Sequence, residues 1–259
     1  MRHSAFQSWS WLGVYFGCFF AFAALAQNWP QSESFFPQFW TAWCGAVIGI
    51  WLVFWFSREA DKPRYLALLI GGGLCVDILC NRLAIQVSPT SSAMNSPWQW
   101  LFLACGNLGV VAAAIGIGVI VARGLQKPNY LIMAAIVGAV TDIFSVSSGP
   151  SKVTLHSEFF PYVSYQWGVA GHGTVIPIVG AGDFLFLALY FSGVRRFHLS
   201  ENKTLIAMCI AFAIGFLSLL VRPEGIPALP FMAILLLIVH GRELRNQMRA
   251  GQSLQEQRA

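Results

Sequence analysis

Residues 175–190 read VIPIVGAGDFLFLALY, an apolar stretch suited to a membrane except for Asp183. Residues 131–146, LIMAAIVGAVTDIFSV, pose the same problem with Asp142. A carboxylate inside a span costs about 2.5–3.5 kcal/mol even on the lenient insertion scale, so each acid is a functional-site candidate. The fold follows from the apolar setting of the two acids, and the function from whether they meet.

The setting extends along the whole chain. It is 56% hydrophobic, 14% aromatic and 10% charged, with a mean hydropathy of +0.62. A soluble domain carries about 25% charged residues, so this chain is too apolar to cover its surface in water. Apolar runs separated by polar clusters predict an all-α, polytopic transmembrane bundle of about eight spans. The spans fall near 9–27, 38–57, 65–87, 98–122, 129–148, 175–194, 204–221 and 227–240. Aromatic residues gather near their ends (Trp9, Trp11, Trp29, Trp40, Tyr65, Trp98, Trp100, Tyr130), as an interfacial belt does. Connections are short, so 1–259 reads as a single integral membrane domain. Residues 1–122 form its N-terminal part, 129–240 a second part and 241–259 a cytoplasmic tail.

The net charge of +5 is no nucleic-acid footprint. Basic residues occupy every second flank: Arg2, then Arg58, Lys62 and Arg64, then Arg123 and Lys127, then Arg195, Arg196 and Lys203, then Arg242, Arg245, Arg249 and Arg258. The intervening loops hold Lys152 and Arg222. The positive-inside rule then places both termini in the cytoplasm, in agreement with an even number of spans. Ala24-Leu25-Ala26 before Gln27 resembles a signal-peptide cleavage site. The apolar stretch is long for a signal peptide, and a retained first span is the expectation. The sequon Asn202-Lys203-Thr204 falls on a cytoplasmic loop, where it stays unmodified. Cys18, Cys44, Cys75, Cys80, Cys105 and Cys209 all fall inside spans with no CxxC pair, so neither disulfides nor a metal site is expected, and no cofactor.

Topology gives the acids a depth. Asp142 lies about 13 residues, or ~20 Å, into a span entered from the cytoplasm near Asn129. Asp183 lies about eight residues, or ~12 Å, into a span entered from the outer side near Val175. The two depths sum to about the ~30 Å hydrocarbon thickness, so the acids share one level on antiparallel, sequence-adjacent helices. Two carboxylates close together in a low dielectric share one proton, and such a pair can activate water and protonate a carbonyl without a metal. Taken singly, each acid also reads as a membrane Asp satisfied by a Ser, a backbone group or a buried water. Asp77, Asn81 and Arg82 add polarity to the third span. Asp77 reads as a hydrogen-bonded packing residue, and Arg82 as snorkelling to the outer interface.

Gly180-Ala181-Gly182 precede Asp183, giving either close helix approach or room for a substrate. The last span opens Gly225-Ile226-Pro227-Ala228-Leu229-Pro230. Two prolines three apart predict an extended segment with regular helix from near Pro230. Irregular backbone at membrane depth lines protein or water rather than lipid, and its carbonyls can meet an extended substrate strand. An ordinary proline-initiated helix is the plainer reading. The loop 149–174 holds Phe159, Phe160, Tyr162, Tyr165 and Trp167, with Gly168, Gly171 and Gly173 after them. It reads either as an interfacial aromatic segment or as a mobile gate. His156 and His172 read as solvated loop residues.

Thr141-Asp142, then Gly180-Ala181-Gly182-Asp183, one intervening span, then Pro227-Ala228-Leu229 is an ordered set. It resembles the presenilin and signal-peptide-peptidase family of intramembrane aspartyl proteases over about residues 129–240. The resemblance implies the GxGD aspartyl protease fold, with Asp142 and Asp183 as catalytic acids. It also implies that Gly180, Ala181 and Gly182, with Pro227, Ala228 and Leu229, shape the site and position substrate. This chain departs from the family in having Thr141 where Tyr is usual and Ile178 where the presenilin branch has Lys. It also has one span fewer at the N-terminal side. These departures bear on substrate preference rather than chemistry. The charge pattern resembles the signal-peptide-peptidase orientation, with the active site toward the outer half of the membrane, and the short loops and compact chain suggest a prokaryotic inner membrane. Transmembrane peptides or signal peptides are then the expected partners, besides the bilayer; oligomers and accessory subunits are not legible. Rival readings are a prepilin-peptidase-like GxGD protease, a proton- or cation-coupled transporter or channel using Asp77, Asp142 and Asp183, and a non-catalytic binder of membrane helices.

Overall fold

The computed structural model describes residues 2–30, 34–60, 63–87, 96–148, 160–219 and 227–256. They form helices α1 (Arg2–Asn28), α2 (Phe35–Glu59), α3 (Pro63–Val87), α4 (Pro97–Arg123) and α5 (Pro128–Ser148). A 3-10 turn (Phe160–Val163) leads into strands β1 (Ser164–Gly168) and β2 (Val175–Gly180). Helices α6 (Ala181–Arg196), α7 (Glu201–Ser218) and α8 (Leu229–Glu256) complete the chain. Proline opens α3, α4 and α5, where its missing N–H costs nothing and its fixed φ suits the first helical position.

Among the described residues, six segments are long and apolar enough to cross a membrane: Ser10–Asn28, Phe35–Glu59, Tyr65–Val87, Pro97–Arg123, Pro128–Ser148 and Glu201–Ser218. The expected spans 175–194 and 227–240 are not among them. The first is a strand followed by a helix of 16 residues. Pro177 cannot donate within a helix, it pushes Ile176 toward extended backbone, and Val175, Ile176, Ile178 and Val179 are β-branched. The second continues as α8 to Glu256, apolar for its first turns and polar thereafter. The expected tail beyond 241 thus continues α8 as helix through Glu256, with Gln247 holding it to the loop after α6. Thr204 Oγ and the buried His240 Nε2 lie 2.8 Å apart, and Gln247 Nε2 donates to the Phe197 carbonyl at 2.9 Å.

The helices present apolar side chains outward. Leu68, Leu79, Met133, Val137, Val140 and Phe144 are each 57–69% exposed on α3 and α5, a surface that water would not tolerate and lipid favours. The chain is a multi-pass, mostly helical integral membrane protein. Helices α3 and α4 meet through Gly73 and Gly109, where a Cβ on either would meet the other's backbone. Small residues let helices approach in this way in a bilayer. Gly118 gives α4 the same closeness to α6 at Leu185 and Ala188.

At the centre lies an antiparallel hairpin of β1 and β2, whose register runs from Ser164 opposite Gly180 to Gly168 opposite Val175. Its connection turns on Gly171 (φ 83°) and Gly173 (φ 68°), left-handed conformations that glycine adopts without strain. Tyr165 and Trp167, expected at an interface or on a gate, are fully buried. Trp167 meets Phe19 of α1 edge to face and Phe22 at a tilt, and occupies the space left by Gly45 of α2. Tyr165 packs on Phe184, whose ring fills the space beside Gly49. The hydrophobic effect thus favours burying this segment over leaving it in the loop region. His172 is exposed, while Phe159 and His156 lie outside the described residues.

Burying a strand exposes its backbone to an apolar medium, and side chains of the helices answer it. Asn107 Nδ2 donates to the Gln166 carbonyl at 2.7 Å, and Gln166 N–H donates to Asn107 Oδ1 at 2.8 Å. The amide of Asn107 takes the place of a neighbouring strand. Ala170 N–H donates to Thr41 Oγ at 3.1 Å. The Gln166 side chain donates to Asn81 Oδ1 at 3.2 Å, and Asn81 donates to Asp77 Oδ1 at 2.6 Å. Asp77 is thus the hydrogen-bonded packing residue expected from sequence, and its role is to anchor the hairpin.

Asn107→Leu would leave both Gln166 backbone groups unpaired, at about 1–3 kcal/mol for each group. The expected outcome is a clearly lower midpoint of thermal unfolding in detergent than for Leu103→Ile nearby. An unchanged midpoint would contradict the clasp.

Candidate active site

Asp183 sits in the first turn of α6, directly after β2 ends at Gly180. Its Oδ2 accepts from the Gly180 N–H at 3.3 Å. An acid at the third helical position commonly reaches back in this way. Gly180 has no side chain, so no reciprocal cap forms, and Gly182 is exposed beside the acid.

Asp142 sits late in α5. Its Oδ2 accepts from the Leu229 N–H at 3.1 Å. Leu229 is the first residue of α8, and its N–H has no partner within that helix. Pro227 and Ala228 precede it outside regular helix, so α8 starts at Leu229, one residue before the expected Pro230. Gly225 and Ile226 lie outside the described residues. The Pro227-Ala228-Leu229 segment is thereby fastened to one acid. Glycines 180 and 182 and Ala181 flank the other.

The carboxylates of Asp142 and Asp183 lie within electrostatic reach of each other, and Tyr190, two turns along α6 from Asp183, lies within reach of both. Both acids are partly exposed and face helix N-termini, whose unpaired N–H groups and dipoles suit anions. Sequence adjacency does not create this meeting. Helix α5 packs chiefly on α8 and approaches α6 where Phe186 fills the space beside Gly138, whereas α6 packs on α4. The pair is assembled through α8 and the hairpin rather than through broad α5–α6 packing. Asp77 belongs to the Asn81–Gln166 network and does not join the two acids.

Sequence reasoning missed β2, which ends at Gly180 and leads into the helix turn that holds Asp183. Its signal was the β-branched run around Pro177. Tyr190 was also missed: its hydroxyl is buried with no hydrogen-bond partner among the described residues, and an aromatic in an apolar helix gives no sign of this. Cys18, Cys44, Cys75, Cys80, Cys105 and Cys209 are all free. Among the described residues no cluster of His, Cys, Asp and Glu has the makings of a metal site. No family model, curated protein or solved structure matches the chain.

Because Asp142 caps α8, its substitutions should separate by hydrogen-bonding capacity. Asp142→Asn keeps an acceptor for Leu229 N–H and should leave thermal stability within ~0.5 kcal/mol. Asp142→Ala loses it and should cost ~0.5–2 kcal/mol. Equal stability of the two variants in a detergent melt would remove the cap from the account.

Proposed function

We propose that the chain is an intramembrane aspartyl endopeptidase acting on transmembrane helices or signal peptides. The observation that carries this reading is the bond from Leu229 N–H to Asp142, which brings the Pro227-Ala228-Leu229 segment to one acid while the other acid stands within electrostatic reach. Two partly exposed carboxylates with no basic side chain bonded to either among the described residues suit a shared-proton dyad.

The chemistry follows from that pair. A substrate helix unwinds locally, since a helical peptide bond is sterically shielded. Its extended backbone lies along β2, whose outer edge has no strand partner among the described residues. Strand addition would supply main-chain hydrogen bonds, and Gly182 leaves space beside Asp183. The ionised carboxylate takes a proton from water as the water oxygen bonds to the scissile carbonyl carbon. The protonated carboxyl gives its proton to the carbonyl oxygen, and a gem-diol forms. In collapse, one diol hydroxyl returns its proton to the dyad, the amide nitrogen takes a proton from the other acid, and the C–N bond breaks. The dyad ends with the single proton it began with.

Orientation belongs to the same proposal. The basic ends of α2, α4 and α6 gather on one side, with Arg58, Arg195 and Glu201 joined at 3.0 and 3.4 Å. The positive-inside rule makes that side cytoplasmic and sets the acids toward the outer half of a cell membrane. Helices with a cytoplasmic N-terminus are then the natural substrates.

Two experiments check these statements. In co-expression with tagged signal peptides and single-span helices, Asp142→Asn and Asp183→Asn should each abolish cleavage while retaining the wild-type melting profile. Substantial residual proteolysis in either variant would refute the dyad; cation or proton flux in liposomes without any peptide cleavage would select transport instead. For orientation, His172→Cys in a cysteine-free background should react with an impermeant maleimide added outside intact cells. Protection until the cells are opened would reverse the topology.

A further inference from the structure

Tyr190 is fully buried, and its hydroxyl has no hydrogen-bond partner among the described residues. A hydroxyl shut away from water is costly to leave unpaired, so what it faces decides what it does. Asp183, Phe186 and Tyr190 follow one another at helical spacing along α6 and share one of its faces. Gly138 and Asp142 share a face of α5 in the same way. Phe186 fills the space beside Gly138, so the two faces are turned to each other. The Tyr190 ring lies beside that of Phe186, with centroids 6.0 Å apart. Long side chains on a helix lean toward its N-terminus, which on α6 is the end that holds Asp183. The hydroxyl is thus carried toward the acids, and of the two Asp142 acts on it the more strongly.

A polar gap between a buried donor and a carboxylate is where a single water makes the bridge. From this geometry we propose that the Tyr190 hydroxyl is a donor to Asp142, reaching it through one bound water. Asp142 then accepts from two sides, the Leu229 N–H on one oxygen and the water held by Tyr190 on the other, while Asp183 accepts from the Gly180 N–H. Hydrogen bonds to a carboxylate favour its charged form. Asp142 is therefore the ionised member of the pair, and Asp183 holds the shared proton. In peptide hydrolysis this makes Asp142 the base that takes a proton from water, and Asp183 the acid that gives its proton to the carbonyl oxygen. Tyr190 acts through Asp142 and is a positioning residue. That role rests on the proteolytic reading above; the hydrogen bond itself does not.

The test has two arms, both on the full chain in a non-ionic detergent. The first takes infrared spectra of protein grown with ring-labelled tyrosine. Subtracting the Y190F counterpart in each background isolates the C–O band of Tyr190, which moves with what its hydroxyl donates to. The band should shift in D142N and clearly less in D183N. The second arm measures cleavage of a tagged signal peptide. Y190F should lower kcat by about tenfold or more with KM unchanged and the wild-type melting profile retained, the loss expected for a hydrogen bond to a charged group. The proposal is overturned if the band ignores both aspartates or moves more in D183N than in D142N. It is equally overturned if Y190F cleaves as fast as wild type, if the loss appears in KM, or if kcat falls only together with the melting profile. Should wild type cleave no probe, the proteolytic reading fails, and the infrared arm alone decides the donor.

Discussion

A β-strand in an apolar core must have its peptide groups paired, and the buried side chains of Asn107 and Thr41 meet that demand at Gln166 and Ala170. Water is not at hand to solvate an open edge, and each orphaned group costs kilocalories. The clasp between Asn107 and the backbone of Gln166 answers it on one side of the hairpin. Gln166 turns both of its backbone groups to Asn107 and away from Pro177 opposite it, a position where the missing proline N–H costs no ladder bond. Thr41, Asn81 and Asp77 extend the same support through α2 and α3. With β1 fixed this way, β2 is fixed by its register, and Asp183 follows three residues after the strand ends.

The second organising influence is electrostatic. Helix α6 carries an acid in its first turn and arginines in its last, each in agreement with the local end of the helix dipole. Helix α8 presents its first N–H to Asp142. The acids thus sit where two positive helix ends converge, and the arginines sit where helices end negative. One set of backbone dipoles thus places the acids at one end of the bundle and the arginines at the other.

Most of the candidate site was legible in the sequence because an acid in an apolar run is costly enough to be conspicuous. Asp142, Asp183, the glycines and the Pro227 segment could all be named from residue type and order. Hydropathy misjudged the fold where its scale cannot distinguish a helix from a strand: VIPIVG is as apolar as any span. Pro177 and the β-branched neighbours carried the distinction. It also misjudged which helices meet. Asp142 and Asp183 belong to consecutive segments, yet α5 leans on α8 and α6 on α4, where Gly118 lets the backbones approach closely. The link between Asn107 and Gln166 crosses 59 positions and leaves no periodic trace.

The placement of the hairpin imposes an order on assembly. Its aromatic side chains are received by Phe19 and Phe22 from α1 and by Gly45 and Gly49 from α2, and its backbone by Asn107 from α4. None of these partners is close in sequence, so the hairpin gains its stabilising contacts only once the earlier helices have come together. Helices can enter a bilayer one at a time, since each satisfies its own backbone, but this strand pair cannot. The last piece to become native is then the one that ends at Gly180 and leads to Asp183. A half-assembled chain therefore holds two ordinary acids in separate helices, and the pair comes into being only with the finished fold.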